Sequence, residues 1–223
     1  RIFGIGNLLP AHQGRACEHI IAQHFVKPGN CVIMNYHFTT SKAHVTRLGG
    51  RVEELVKDEG LVVKSELPFK GNIDLGKVKA CVEKEGADNI AYMRLEAGTN
   101  LIGGQPLSME NMLEVAAVCK EYGVMAVLDA SLLQDNLYFI KTREEGYADK
   151  SIKEIVKEIF SLADGMTMSS KKDGLVNMGG FIATKHKDWY EGAKGFCIRY
   201  EGFLTYGGMN GRDMAALAVG LDE

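Results

Sequence analysis

The chain reads as an α/β protein, a mainly parallel sheet with helices on both faces, and three observations carry that reading. Short apolar runs such as Cys31-Val32-Ile33-Met34 and Val124-Met125-Ala126-Val127-Leu128 have the character of strands buried on both faces. Between such runs lie longer stretches with helical periodicity, separated by Gly, Pro or Asn. Repeated βα units of this kind close into a parallel sheet. With 223 residues, 46% of them hydrophobic and 25% charged, the chain can bury one sizeable core, so a single domain is expected.

Each element has a local reason. Pro10-Ala11-His12-Gln13-Gly14-Arg15 precedes an amphipathic stretch, so a helix is expected over about 14–26 with Gly14 and Arg15 in its first turn. Lys27-Pro28-Gly29-Asn30 turns into a buried strand, 31–35. Phe38-Thr39-Thr40-Ser41 leads a helix that Gly49-Gly50 stops, and 51–55 is a short strand. A helix over 72–85 and a strand over 89–95 follow. Ser108 can cap a helix running to about Tyr122, with Gly123 as its stop. The strand 124–128 ends on Asp129, and Ser151-Ile152-Lys153-Glu154 is a capping box that opens a helix to about Leu162. A strand from Gly165 breaks into Ser169-Ser170-Lys171-Lys172-Asp173-Gly174, after which 180–184 returns antiparallel or at an edge.

Composition narrows the partners. A net charge of −3 provides neither a basic stripe for nucleic acid nor a polybasic membrane patch, which leaves small molecules and further copies of the chain. Cys17, Cys31, Cys81, Cys119 and Cys197 are odd in number, without a Cys-x-x-Cys pair or zinc-like spacing, and read as reduced thiols in a cytoplasm. No apolar run reaches the length of a membrane span.

Three segments point to chemistry. A lysine at the end of a buried strand beside a second cation loses its proton cheaply and can form a Schiff base with an aldehyde, while a preceding serine can bond a phosphate oxygen. Residues 169–174 also suit a plain polar turn, and the residues alone leave open which lysine would act. Asp129 stands where ligands of open α/β sheets bind, beyond a strand's carboxyl end. There it can pair with the ring nitrogen of a pyridoxal cofactor or simply cap the next helix. Gly14 and Arg15 sit at a helix start, whose free N–H groups favour a phosphate.

Five segments, in order, carry a family resemblance: Ala11-His12-Gln13-Gly14-Arg15, Asn100-Leu101-Ile102-Gly103-Gly104-Gln105-Pro106, Asp135-Asn136-Leu137-Tyr138-Phe139-Ile140-Lys141, Ser169-Ser170-Lys171-Lys172-Asp173 and Tyr200-Glu201-Gly202-Phe203-Leu204-Thr205-Tyr206-Gly207-Gly208. Across nearly its whole length the chain resembles the middle of the β-eliminating lyases, the group that includes tyrosine phenol-lyase and tryptophanase. The resemblance implies fold type I of the pyridoxal-phosphate enzymes. It also implies that residues 1–223 form most of the cofactor-binding large domain, with the family's N-terminal segment and C-terminal small domain outside them. Pyridoxal 5'-phosphate is the implied cofactor, a potassium ion a further implied ligand, and a homo-oligomer, tetrameric in the family, the implied assembly.

Residue by residue, Lys172 matches the Schiff-base lysine and Lys171 is its neighbour, while Gln13, Gly14, Arg15 and Ser169 match the phosphate cup. Phe38 matches the aromatic stacked on the ring, Asp129 the partner of the ring nitrogen and Asn100 that of the ring oxygen. Tyr206 matches a tyrosine close to the cofactor, and Asn177 falls where a backbone carbonyl meets potassium. Thr39 agrees with tyrosine phenol-lyases, whereas tryptophanases carry an aspartate there. Two positions depart from the pattern: Leu132 replaces an arginine beside the ring oxygen, and Leu204 a proline. The expected activity is β-elimination from an L-amino acid, tyrosine first, giving pyruvate, ammonia and the leaving group. Indole or cysteine-type C–S elimination and a non-catalytic remnant of the fold are the alternatives.

Overall fold

A computed structural model describes residues 2–222; Arg1 and Glu223, the limits of the expected domain, lie outside the described residues. Seven strands form one sheet: β1 Asn7–Ala11, β2 Cys31–Met34, β3 Arg51–Glu54, β4 Ile90–Glu96, β5 Ala126–Asp129, β6 Gly165–Ser169 and β7 Gly180–Thr184. Their order is β1-β7-β6-β5-β4-β2-β3. The pairs among β2 to β6 are parallel, and β7 runs antiparallel to both neighbours, so β1 points the same way as β6. The helices are α1 Gly14–Phe25, α2 Thr39–Arg47, α3 Leu75–Glu85, α4 Met109–Tyr122, α5 Leu133–Arg143, α6 Ile152–Leu162, α7 Lys187–Tyr200 and α8 Gly211–Gly220.

The twofold alternation of strand side chains sorts the core into two layers. Val32, Met34, Tyr92, Val127 and Ile182 pack with Cys17, Ile20 and Ile21 of α1 and with Trp189 and Ala193 of α7. Ile33, Met93, Leu95, Leu128 and Met166 pack on the other face with Val78 of α3, Val115 of α4, Leu137 of α5 and Ile159 of α6. The same alternation puts Arg94, Glu96, Asp129, Thr167 and Ser169 on the α1 face, toward the carboxyl ends of their strands.

The expected mainly parallel sheet is present, and so are both expected caps. The Ser108 side chain accepts from Asn111 N, Gly123 closes α4 in the left-handed region, and the Ser151–Glu154 capping box is complete. The helix expected over 72–85 begins only at Leu75, after an Asp74 cap, because the residues before it are engaged elsewhere. The Asn72 amide exchanges bonds with Ser108, and the Ile73 backbone with the Asn111 side chain. The returning strand β7 is antiparallel as expected but interior, because β1 covers its outer side. The strand β1 and the helices α5, α7 and α8 were not among the expected elements.

Candidate functional site

Five parallel elements deliver side chains to one place. A cleft of about 150 Å³ is lined by Gln13, Gly14 and Arg15 after β1, Phe38 after β2, Glu96 ending β4 and Asp129 and Ser131 at the end of β5. Thr167 and Ser169 of β6, Lys171 and Lys172 beyond it, and Glu18 and Thr40 from the helices complete it. It thus opens at the carboxyl ends of the strands, the general ligand position of open α/β sheets.

Its rim is cationic and built from main chain. The Gln13 side chain makes no capping bond to α1, and no acidic residue occupies the first turn, so that turn keeps its uncapped N–H groups and the positive end of the helix dipole. Gly14 is a requirement of close approach: a Cβ there would lie 2.5 Å from Cβ of Ser169. Helix α1 therefore starts against β6, bringing Arg15 and the two lysines to one rim. Lys171 is exposed and its Nζ lies 3.5 Å from Oε1 of Gln13, whereas Lys172 is half-buried with Nζ 5.3 Å from the Phe38 ring centroid.

The floor is acidic and buried. Asp129, 5% exposed, accepts from Ser131 N at 2.9 Å with Oδ1 and from the Arg94 guanidinium with Oδ2. Ser131 Oγ in turn accepts from Ser169 N at 2.8 Å, which ties the end of β5 to the lysine turn. Arg94, 3% exposed, also reaches Glu96 at 3.1 Å and Glu18 at 3.5 Å. Burial raises the Glu18 and Glu96 carboxyls above the usual range, and Asp129 adds to this while Arg94 opposes it. Glu18 is further held by the Thr40 hydroxyl and by Ser41 Oγ at 2.5 Å.

These groups match what an aldehyde-bearing pyridine phosphate requires. An uncapped helix start beside a serine and an arginine suits a phosphate, a half-buried amine suits an aldehyde, and a buried carboxylate suits a protonated ring nitrogen. The Thr167 hydroxyl faces the cleft, is buried and has no hydrogen-bond partner among the described residues. A polar ligand would complete it. The residues fit the group.

Gln13, Gly14, Arg15, Phe38, Asp129, Ser169, Lys171 and Lys172 thus come together from the residues singled out in the sequence. Four others do not line the cleft. Thr39 is exposed at the start of α2, and its neighbour Thr40 lines the cleft instead, because the helix turns position 39 outward. Asn100 lies in a short turn with its N–H donated to Glu96 Oε1 at 3.0 Å. Tyr206 is 36% exposed and packs edge-on against Phe203, and Asn177 is exposed in the segment before β7. Glu18, Thr40, Arg94, Glu96, Ser131 and Thr167 were not singled out. The sequence did hold one signal for them: Arg94 and Glu96 are charges at alternate positions of a strand that is otherwise apolar.

Comparison with known proteins gives a consistent picture. The model of a family described as beta-eliminating lyase matches residues 1–218. A Trichomonas vaginalis protein named probable beta-eliminating lyase is 50% identical over 223 residues, and a tyrosine phenol-lyase of Fusobacterium nucleatum is 48% identical over 222. Each alignment covers 100% of this chain and 48% of the relative, so the chain spans about half the length of the curated relatives it matches. A solved cystathione gamma lyase from Micromonospora echinospora superposes with a TM-score of 0.64 at 16% identity, covering 99% of this chain and 49% of that one. At that identity the likeness carries the fold alone.

Proposed function

The chain belongs to the beta-eliminating lyase family, and from that membership we propose that it forms the cofactor-binding part of a pyridoxal 5'-phosphate-dependent lyase that eliminates the β-substituent of an L-amino acid. The observation that carries the reading is the convergence in one cleft of an uncapped helix start, a half-buried lysine and a buried aspartate. Gln13, Gly14, Arg15 and Ser169 hold the phosphate, Phe38 covers one face of the ring, and Asp129 keeps the ring nitrogen protonated. When bound, the group supplies an electron sink for the substrate's α-carbon. Lys172 Nζ would hold the aldehyde carbon and, as a free amine, would accept the substrate's α-proton. Lys171 stands at the rim beside the phosphate, and Tyr206 and Asn100 act only if the residues around them move inward. In the same reading the Asn177 carbonyl serves potassium, and copies of the whole protein assemble around the site.

Tyrosine is the first candidate substrate, balanced as tyrosine plus water giving phenol, pyruvate and ammonia. The tyrosine phenol-lyase among the relatives supports it, while the outward position of Thr39 removes one argument for it. A second reading, C–S elimination from an S-alkyl cysteine, draws on Leu132. This residue is half-buried before α5 and packs near Gly98, which has a φ of 63° and where a Cβ would lie 2.7 Å from the Leu132 carbonyl oxygen. An apolar side chain there contributes neither charge nor proton, and a thiolate leaving group needs less help than a phenolate.

The test combines two readouts on the purified protein. Borohydride reduction in the presence of pyridoxal 5'-phosphate, followed by peptide mass analysis, is expected to label Lys172. Pyruvate release is then compared for tyrosine, tryptophan and S-methylcysteine. Label on no lysine overturns the cofactor assignment; faster release from S-methylcysteine than from tyrosine hands the substrate to the second reading.

A further inference from the structure

The floor of the cleft holds more charge than the proposed chemistry uses. Asp129, Glu18 and Glu96 line the cleft, while Arg94 lies beneath them, between β4 and α1, and is the one cation within ion-pair distance of any of the three among the described residues. Burying a guanidinium is costly unless its partners are well placed, and this one has a carboxyl on three sides. The three carboxylates repel one another, and a buried carboxylate among like charges takes up a proton. Without Arg94, Asp129 would lie beside two further buried carboxyls with no cation to hold its direction.

We infer that Arg94 is a positioning residue: it pairs with Asp129 and fixes the direction of its carboxylate, so that the carboxylate can discriminate for a ring that carries a protonatable nitrogen. The inference rests on the cofactor reading above. Two hydrogen bonds orient Asp129, one from Arg94 to Oδ2 and one from Ser131 N to Oδ1. A carboxylate has about four lone-pair sites, so acceptor capacity remains on the side that lines the cleft. Arg94 is itself held from two further directions by Glu96 on its own strand and Glu18 on α1, which leaves the guanidinium little freedom to follow a different partner. Leu132 brings no charge to this floor, so its cation comes from β4 alone.

The experiment compares the affinities of two probes, pyridoxal 5'-phosphate and its 1-deaza analogue, which keeps the phosphate and aldehyde but has carbon in place of the ring nitrogen. Removing Arg94 alone strands three buried carboxylates, so the principal variant is Arg94→Met with Glu96→Gln, which leaves the formal charge of the cluster unchanged. The wild-type protein is expected to prefer the pyridine over the deaza probe, and the double variant to lose roughly tenfold of that preference, as Asp129→Asn should. A loss of affinity that is equal for both probes, or a preserved preference, would mean that Arg94 only holds the fold together, and would overturn the inference. If the double variant does not fold, Arg94→Lys decides: a lowered preference supports the role and an unchanged one rejects it. Failure of the wild-type protein to bind either probe would instead remove the cofactor reading itself, and this inference with it.

Discussion

The rim and the floor of the cleft solve opposite electrostatic problems. The rim gathers positive charge from Arg15, Lys171, Lys172 and the start of α1 where water still reaches it. The floor buries three carboxylates around one guanidinium, each of the four no more than 8% exposed. Exposed cations need no partner and can wait for a ligand, whereas buried anions must be balanced before any ligand arrives. Each half of the rim is therefore a matter of local chain geometry, whereas the floor is wholly one of long-range assembly.

The comparison can be broken most sharply at the rim. Lys172→Ala is expected to abolish borohydride-dependent labelling by pyridoxal 5'-phosphate and to lower pyruvate release by about a thousandfold, while Lys171→Ala retains the label. Label retained in the first variant and lost in the second would exchange the two lysines. Gly14→Ala drives a methyl group into Ser169 and should destabilise the protein by about 1–3 kcal/mol in denaturant titrations while weakening the binding of inorganic phosphate. A variant of unchanged stability and phosphate affinity would show that α1 can shift away from β6 freely.

Two further effects probe the floor. Thr40→Val removes a donor to the buried Glu18 carboxyl and should cost about 1.5–3 kcal/mol, against no more than about 0.5 kcal/mol for Thr39→Val. Equal losses would mean that the outward placement of Thr39 does not persist in solution. The smallest signal is a slope. A Glu96 carboxyl raised by burial favours folding while protonated, so its contribution is complete below the ordinary glutamate value of 4.5 and is lost as pH rises through the raised value. The stability of Glu96→Gln relative to wild type should accordingly increase with pH above 4.5. A difference that is flat with pH would show that Glu96 is not raised.

This contrast also explains what the sequence could reveal. Gln13-Gly14-Arg15 and Ser169-Ser170-Lys171-Lys172 are contiguous, and their local propensities already announce a helix start and a strand end. Glu18, Arg94 and Ser131 acquire meaning only when α1, β4 and β5 are stacked, so periodicity presents them as ordinary charged or polar positions. The missed elements have equally local causes. Pro10 disguises β1, because proline argues against a strand except at an edge, which is where β1 lies. Gly192 and Gly195 dilute the helical pattern of α7, and in α5 the pattern was legible only as a family segment.

The interior place of β7 has a consequence for the order of events during synthesis. Asn7 through Ala11 meet their hydrogen-bonding partners only at Thr184 through Gly180, so the edge strand emerges from the ribosome long before the strand it must join. Such distant pairing is slow, since the loop between the partners must close before it is rewarded. The half of the cationic rim that follows β1 therefore cannot be in place until the hairpin of β6 and β7 has been made, and the early-born segment must stay available, and unpaired with anything else, throughout that wait.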